Sequence, residues 1–362
     1  MRKHIKFAFL YFAIIFTALT VSDRLLAAEA TLGQYPLCEV SAALLVTCPG
    51  GKGECLLVGD NEQEKELYLF PIKDQKLDSD KQSAFDLHLG DKKEISDIEA
   101  LAGVSDDVIL AFASHSRNTS CEGKKDRRQF GKVTLSKAET TVVDTLRTKK
   151  ATCEHLFGKQ VLDISMKAAC EAIDTADILS TLIDEAVQAK KLTDDEAKAP
   201  CNAVNAYNAE GAVAINTPKG TDVWIGLRAP LLRVHPSQPE KKNLAILLHM
   251  KEPTAYAFDR VVFVDLDGRG VRDLSSDATS IWVIAGPPED RKEPEKFELR
   301  RFPKSALDKT EVIDSEFIQP LPSSSEGLAI SGKTAYIVID GDAGKDEKKC
   351  KEPAKYEILS LP

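Results

Sequence analysis

Acidic and basic side chains recur at matching places along the chain. Asp97 and Glu99 stand two apart, so on a strand they share a face. Glu210, Asp273 and Glu326 hold the corresponding places in later segments, and a weaker copy begins at Glu39. Arg117, Arg228 and Arg272 recur beside them, and His115 precedes Arg117 by two. If these places converge, Glu99, Glu210 and Glu326 would suit a hard cation such as Ca²⁺. A cation there would polarise the oxygen of a phosphate or carboxylic ester. The arginines would clamp a small anionic ligand, and His115 would serve as a general base. Glu99, His115 and Arg117 are therefore the catalytic candidates. Asp97, Glu99, Arg117, Glu210, Arg228, Arg272, Asp273 and Glu326 are the ligand-binding candidates. The same residues have a structural use, because Glu and Arg in turns pair between neighbouring elements and fix geometry without any reaction.

The elements that carry them repeat. DIEALA leads to VILAFASHSR, NAEGAVA to DVWIGLRAPLL, GVRDL to SIWVIAGP, and SEGLA to TAYIVIDGD. Each unit is an acidic turn, a short apolar strand, a polar turn and a stronger apolar strand, often followed by another such as LAILLHM or YEILSLP. Intervals of about 40–60 residues with three or four strands per unit mark a β-propeller blade. The fold class expected is mainly β: a β-propeller-like ring of five or six blades. A β-sandwich is the competing architecture. The residues near the start are expected to add a strand to the last blade, which hides exposed sheet edges.

One interval is longer, and its content differs. Residues 153–199 place Leu162, Met166, Ala169 and Ile173, then Leu179, Leu182, Ile183 and Ala186, at helical spacing. Thr193 with Glu196 forms a capping box. This is a helical insertion, whose apolar stripe is expected to dock on the ring.

Arg2, Lys3 and Lys6 precede an apolar run from Phe7 to Thr20, with small residues at Ala28 and Ala30. That is the pattern of a signal peptide over residues 1–30, leaving one domain over 31–362. The run is short of the ~20 residues that span a bilayer, so no transmembrane span is expected in the mature chain. The chain is expected to be exported, periplasmic or secreted. Its 8 Cys then read as disulfides. Cys48 and Cys55 flank a hairpin turn and should pair. Cys170 and Cys201 bracket a helical stretch and are the second choice.

The formal net charge of −9 disfavours nucleic acid, which needs a basic surface. The basic run Lys124, Lys125, Arg127 and Arg128 reads as a solvated loop. No GxSxG, HExxH or phosphate-loop motif is present.

The four motifs, with ASHSRNTSCEGKKDRRQF and LDGRGVRDL between them, resemble a bacterial family of exported proteins known only as domain of unknown function thirty-six sixteen. The likeness runs over about residues 35 to 360, with departures at Ala100 and Asp273. It implies an exported, propeller-like fold and carries no activity. The expected function is a ligand- or partner-binding module of the bacterial envelope, its partner a small anionic ligand or an envelope protein. The alternative is a metal-assisted hydrolase using the acidic turns.

Overall fold

The computed structural model describes residues 29–51, 53–89, 95–144, 152–218, 220–289, 296–309, 312–342 and 349–362. The expected leader lies outside the described residues, apart from Glu29 and Ala30.

Five sheets, antiparallel apart from one short parallel pairing of Ile313–Asp314 with Ala255–Asp265 in blade 3, form the blades of a propeller with a helical insertion. The innermost strands are Val40–Thr47, Ile98–Ser105, Asn208–Thr217, Gly270–Ser276 and Ser325–Ser331, in blades 1 to 5. Each pairs with a strongly apolar second strand: Glu54–Asp60, Val108–Ala113, Gly220–Ala229, Ser280–Gly286 and Thr334–Ile339. Every residue of Thr334–Ile339 is buried. This explains why these segments read as apolar runs rather than alternations: neighbouring blades cover both faces. The core is correspondingly divided. Its buried apolar side chains fall into five clusters, one at each blade interface.

Close packing at these interfaces needs small residues. A Cβ on Gly327 of blade 5 would lie 2.8 Å from the Ala43 nitrogen of blade 1. That is inside van der Waals contact, so glycine lets the two backbones approach.

The ring closes as expected. Ala30–Thr31 pairs antiparallel with Lys355–Ser360, the third strand of blade 5. The Leu32 amide donates to the Ala354 carbonyl at 2.8 Å, and the Gly341 amide to the Cys38 carbonyl at 3.1 Å. Cys38 and Cys350 form a disulfide across the same seam, 312 positions apart in sequence. Asp60 reinforces it by accepting from the amides of Cys38, Glu39 and Glu62 at 2.8, 2.9 and 3.0 Å.

The insertion holds three helices, α1 (Cys153–Phe157), α2 (Ile164–Gln188) and α3 (Asp194–Val204). Asp163 caps α2 through the Met166 amide, and the Thr193–Glu196 capping box opens α3. Leu156, Phe157, Met166, Ala169 and Ile173 extend the apolar cluster between blades 2 and 3. The second half of the expected stripe does not dock. Leu179 and Leu182 are 43% and 57% exposed, whereas Asp177, Ser180 and Asp184 face the protein. Arg117 accounts for part of this inversion, because its guanidinium bonds to Asp177 and Thr181 at 2.8 and 3.0 Å.

Cys48–Cys55 pairs as the hairpin predicts. Cys170–Cys201 does not. Cys170 pairs with Cys153, joining α1 to α2, and Cys201 pairs with Cys121, fastening α3 to blade 2. The helical stretch between 170 and 201 turns back on itself, so its two ends reach different partners. The basic run also departs from a solvated loop. Arg128 is buried and donates to the Lys124 carbonyl at 2.9 Å.

Removing the seam disulfide should loosen the whole ring, since its cross-link spans nearly the entire chain. Cys38→Ser with Cys350→Ser is expected to lower unfolding free energy by about 2–4 kcal/mol. Denaturant titration measures this, and an unchanged midpoint would show that strand pairing alone closes the ring.

Candidate functional site

Each innermost strand starts with a break in register. The shifts lie between Val40 and Ala42, Ile98 and Ala100, Ala209 and Gly211, Val271 and Asp273, and Ser325 and Gly327. One residue per blade therefore escapes the ladder, as in a β-bulge. These residues are Ser41, Glu99, Glu210, Arg272 and Glu326. Three are acids that the repeat singled out. The other two correct its alignment: Ser41 rather than Glu39 holds the place in blade 1, and Arg272 rather than Asp273 in blade 4.

Arg272 joins three blades. Its Nε donates to Glu326 Oε2 at 2.7 Å and lies 3.0 Å from Glu210 Oε2. Its second donor bonds the other Glu326 oxygen. Arg228 extends the network, with Nη1 donating to Glu210 Oε1 at 3.0 Å and Nε to the Pro287 carbonyl at 3.2 Å. Glu210, Arg272 and Glu326 are 2%, 8% and 7% exposed. Burial alone would weaken the charge on Arg272, but Glu210 and Glu326 outweigh it and hold the guanidinium charged.

Glu99 is different. Among the described residues it makes no hydrogen bond and no ion pair, and it keeps partial exposure. Burial and then repulsion from Glu210, Asp97 and Glu326 push its carboxyl well above the usual range. Three ring carboxyls surround two arginines, so the carboxyl without an arginine meets the like charges uncompensated. Glu326 is also pushed up by burial, against the opposing pull of Arg272.

The remaining candidates lie apart from this network. Asp273 is fully buried and accepts from the amides of Leu274 and Leu328 at 2.7 and 2.6 Å. Burial raises its carboxyl well above the usual range. It joins blades 4 and 5 and faces no open space. His115 packs flat on Tyr256 with ring centroids 4.1 Å apart, and its Nδ1 contacts the Ala113 carbonyl at 2.9 Å. Burial lowers its ring to about 3, so it is neutral at physiological pH. Asp97 receives Ser114 and Ser116 hydroxyls and lies 3.5 Å from Arg127. Burial raises its carboxyl, with Arg127 opposing. The blade 2 group of Asp97, Glu99, His115 and Arg117 is thus dispersed into four environments.

Arg117 and Arg228, from different blades, do meet at one cavity. It has a volume of about 240 Å³ and lies between α3 and blades 2 and 3; a separate cavity of about 400 Å³ sits between the inner strands and holds neither arginine. Ser116, Arg117 and Asn118 form one wall of the smaller cavity, and Asn208, Arg228 and Pro288 another. Among the described residues no group of three or more His, Cys, Asp or Glu is arranged to hold a metal ion. Arg272 occupies the position between Glu210 and Glu326 that a cation would take.

Sequence reasoning assigned no site role to Asp60 or Asp340, and placed Arg127 in a solvated loop, whereas it lies 3.5 Å from Asp97. Asp340 directly follows the second strand of blade 5, and one carboxyl oxygen is buried without a partner. Burial, then repulsion from Glu326, Glu39 and Asp60, pushes it up to about 9. Its signal was visible in part, because Asp60 closes and Asp340 follows an apolar second strand.

Because Asp340 is raised, the folded state keeps a proton that the unfolded chain loses above the ordinary aspartate range. Stability should therefore fall as pH rises from about 4 towards 9. Asp340→Asn removes that contribution. Its melting temperature should drop less than the parent's between pH 5 and pH 9, and parallel profiles would contradict the assignment.

The family model described as "Protein of unknown function (DUF3616)" matches residues 51–320. No curated protein matches the sequence. Solved structures align with the chain at low identity. A protein of unknown function from Dyadobacter fermentans is 10% identical, covering 93% of this chain and 99% of that one, with TM-score 0.43. A thermostable family-43 glycoside hydrolase is 7% identical, covering 91% and 93%, with TM-score 0.44. PorZ of Porphyromonas gingivalis, a surface component of the type-IX secretion system, is 10% identical, covering 92% of this chain and 39% of that one, with TM-score 0.33. These likenesses transfer no activity. The family match covers most of the chain, and the chain belongs to that family of unknown function.

Proposed function

We propose that this member of the DUF3616 family is an exported binding module of the cell envelope, which receives a small ligand beside the mouth of its ring. One observation carries the reading: Arg117 and Arg228, brought from separate blades, line a single cavity under the helical insertion. The charged ring next to it is already satisfied by Arg272, which supports a rigid frame rather than a metal-dependent centre. Pre-formed pockets with a few placed polar groups are the usual form of a small-molecule site.

Export is supported by cysteine usage. All eight Cys are paired, as expected in an oxidising compartment. No helix among the described residues is long and apolar enough to cross a membrane.

A thermal-shift screen of small anions, neutral polyols and amines, with and without Ca²⁺, Mg²⁺, Mn²⁺ and Zn²⁺, tests the proposal beside phosphoesterase and esterase assays. A ligand present at 100 times its Kd should stabilise the fold by about 2.7 kcal/mol. Stabilisation without turnover is the expected result. Metal-dependent hydrolysis that Glu99→Ala abolishes would overturn it in favour of the hydrolase.

A further inference from the structure

Helix α2 leaves a strip of large apolar side chains uncovered. Ile178, Leu179 and Leu182 are 59%, 43% and 57% exposed, and Ile183 and Ala186 beside them are half-buried. Residues three and four apart on a helix lie on one face, so these form one patch rather than scattered positions. The patch arises because Asp177, Ser180 and Asp184 take the opposite face, against the protein. It does not stop at the helix. The groove between α2 and blade 3, about 750 Å³ in volume, carries the apolar surface from Leu179 to Leu232 and Val234. A contiguous exposed apolar patch of this kind marks an interaction surface.

The charges at the two ends of the strip select the occupant. Glu171 stands seven positions before Ile178, and Lys190 stands seven positions after Ile183. Lys190 follows the last turn of α2, where its amide donates to the Val187 carbonyl at 2.8 Å. Both side chains are exposed, and among the described residues neither makes a hydrogen bond or an ion pair. The strip is therefore apolar at its centre and opposite in charge at its ends. An antiparallel copy of α2, centred between Ser180 and Thr181, sets Leu179 against Leu182 and Ile178 against Ile183. It also sets Glu171 against Lys190 twice, in two pairs about 28 Å apart at the helical rise. A parallel copy would oppose Glu171 to Glu171 and Lys190 to Lys190.

We propose that this face docks a second copy of the chain, with the two insertions related by a two-fold axis and α2 lying antiparallel to α2. Such an axis requires one patch that complements itself, which this strip does in both apolar contact and charge. The leucines and isoleucines supply affinity, and the end charges fix direction and register. The strip is narrow beside the ~800 Å² per partner of a standard interface, so the dimer is reversible and depends on concentration.

Sedimentation velocity of the full disulfide-bonded chain over a wide range of concentration tests this. The parent is expected to pass from monomer to dimer. Leu182→Glu should weaken the dimer at least about tenfold. It should leave the melting temperature of the monomer unchanged, because the side chain is mostly exposed. Glu171→Lys and Lys190→Glu each oppose like charges at both ends, so each alone should sediment as a monomer where the parent is dimeric. Mixing these two variants should restore the dimer, since each offers the charge that the other lacks. The proposal is overturned if the parent stays monomeric throughout, if Leu182→Glu or either charge variant dimerises as the parent does, or if the mixed variants stay monomeric. Retention of a monomeric parent, but not of Leu182→Glu, on vesicles of phosphatidylethanolamine and phosphatidylglycerol would also overturn it and assign the strip to a membrane surface.

Discussion

The ring is organised around one buried cation. Arg272 escapes the strand ladder of blade 4 and places its guanidinium between Glu210 of blade 3 and Glu326 of blade 5. A planar fork of donors suits two carboxylates at once, which an ammonium would serve less well. Its desolvation is large, and only the paired carboxylates offset it. Three blades are therefore positioned by the same charge. Other polar links continue round the mouth: Ser41 to the Ile98 carbonyl between blades 1 and 2, and the Ala209 amide to the Ser114 carbonyl at 2.8 Å between blades 2 and 3.

This arrangement also decides what the acidic ring can do. Glu210 and Glu326 are committed to Arg272, and Asp273 to backbone amides. Glu99 remains without an ion-pair partner among the described residues, partly exposed at the mouth, its carboxyl pushed up by burial and by Glu210. Such a ring is a frame. The proposed binding cavity lies to one side, where the insertion and blades 2 and 3 bring arginine, lysine and amide groups together. Arg117 and Cys121 serve both purposes, because they anchor the insertion and shape the cavity it covers.

Much of this was legible in the residues. The apolar runs DVWIGLRAPLL and TAYIVIDGD mark second strands buried on both faces, and their spacing marks blades. Glu99, Glu210 and Glu326 were found because each precedes such a run. Arg272 and Ser41 were misplaced, because a bulge shifts register by one residue and composition cannot show which neighbour leaves the ladder. Cys170 and Cys201 were misassigned for a related reason: nearness in sequence favours a local pairing, whereas tertiary docking sends the two ends of the insertion apart. The exposed Leu179 and Leu182 obey helical periodicity but not burial, since Arg117 draws Asp177 inward. Asp340 was overlooked because a carboxyl after a strand looks like a turn residue until its surroundings are known.

The claim that Arg272 and its carboxylates act as one unit is tested most directly by a double-mutant cycle. Arg272→Met, Glu326→Gln and the pair would be compared by denaturant unfolding at pH 7. The account predicts that Arg272→Met alone costs about 3–5 kcal/mol, because it strands buried carboxylates. The pair should cost clearly less than the sum of its parts, with a coupling of at least about 1 kcal/mol. Additive effects would contradict it, and would mean that packing between blades holds the ring without the bridge.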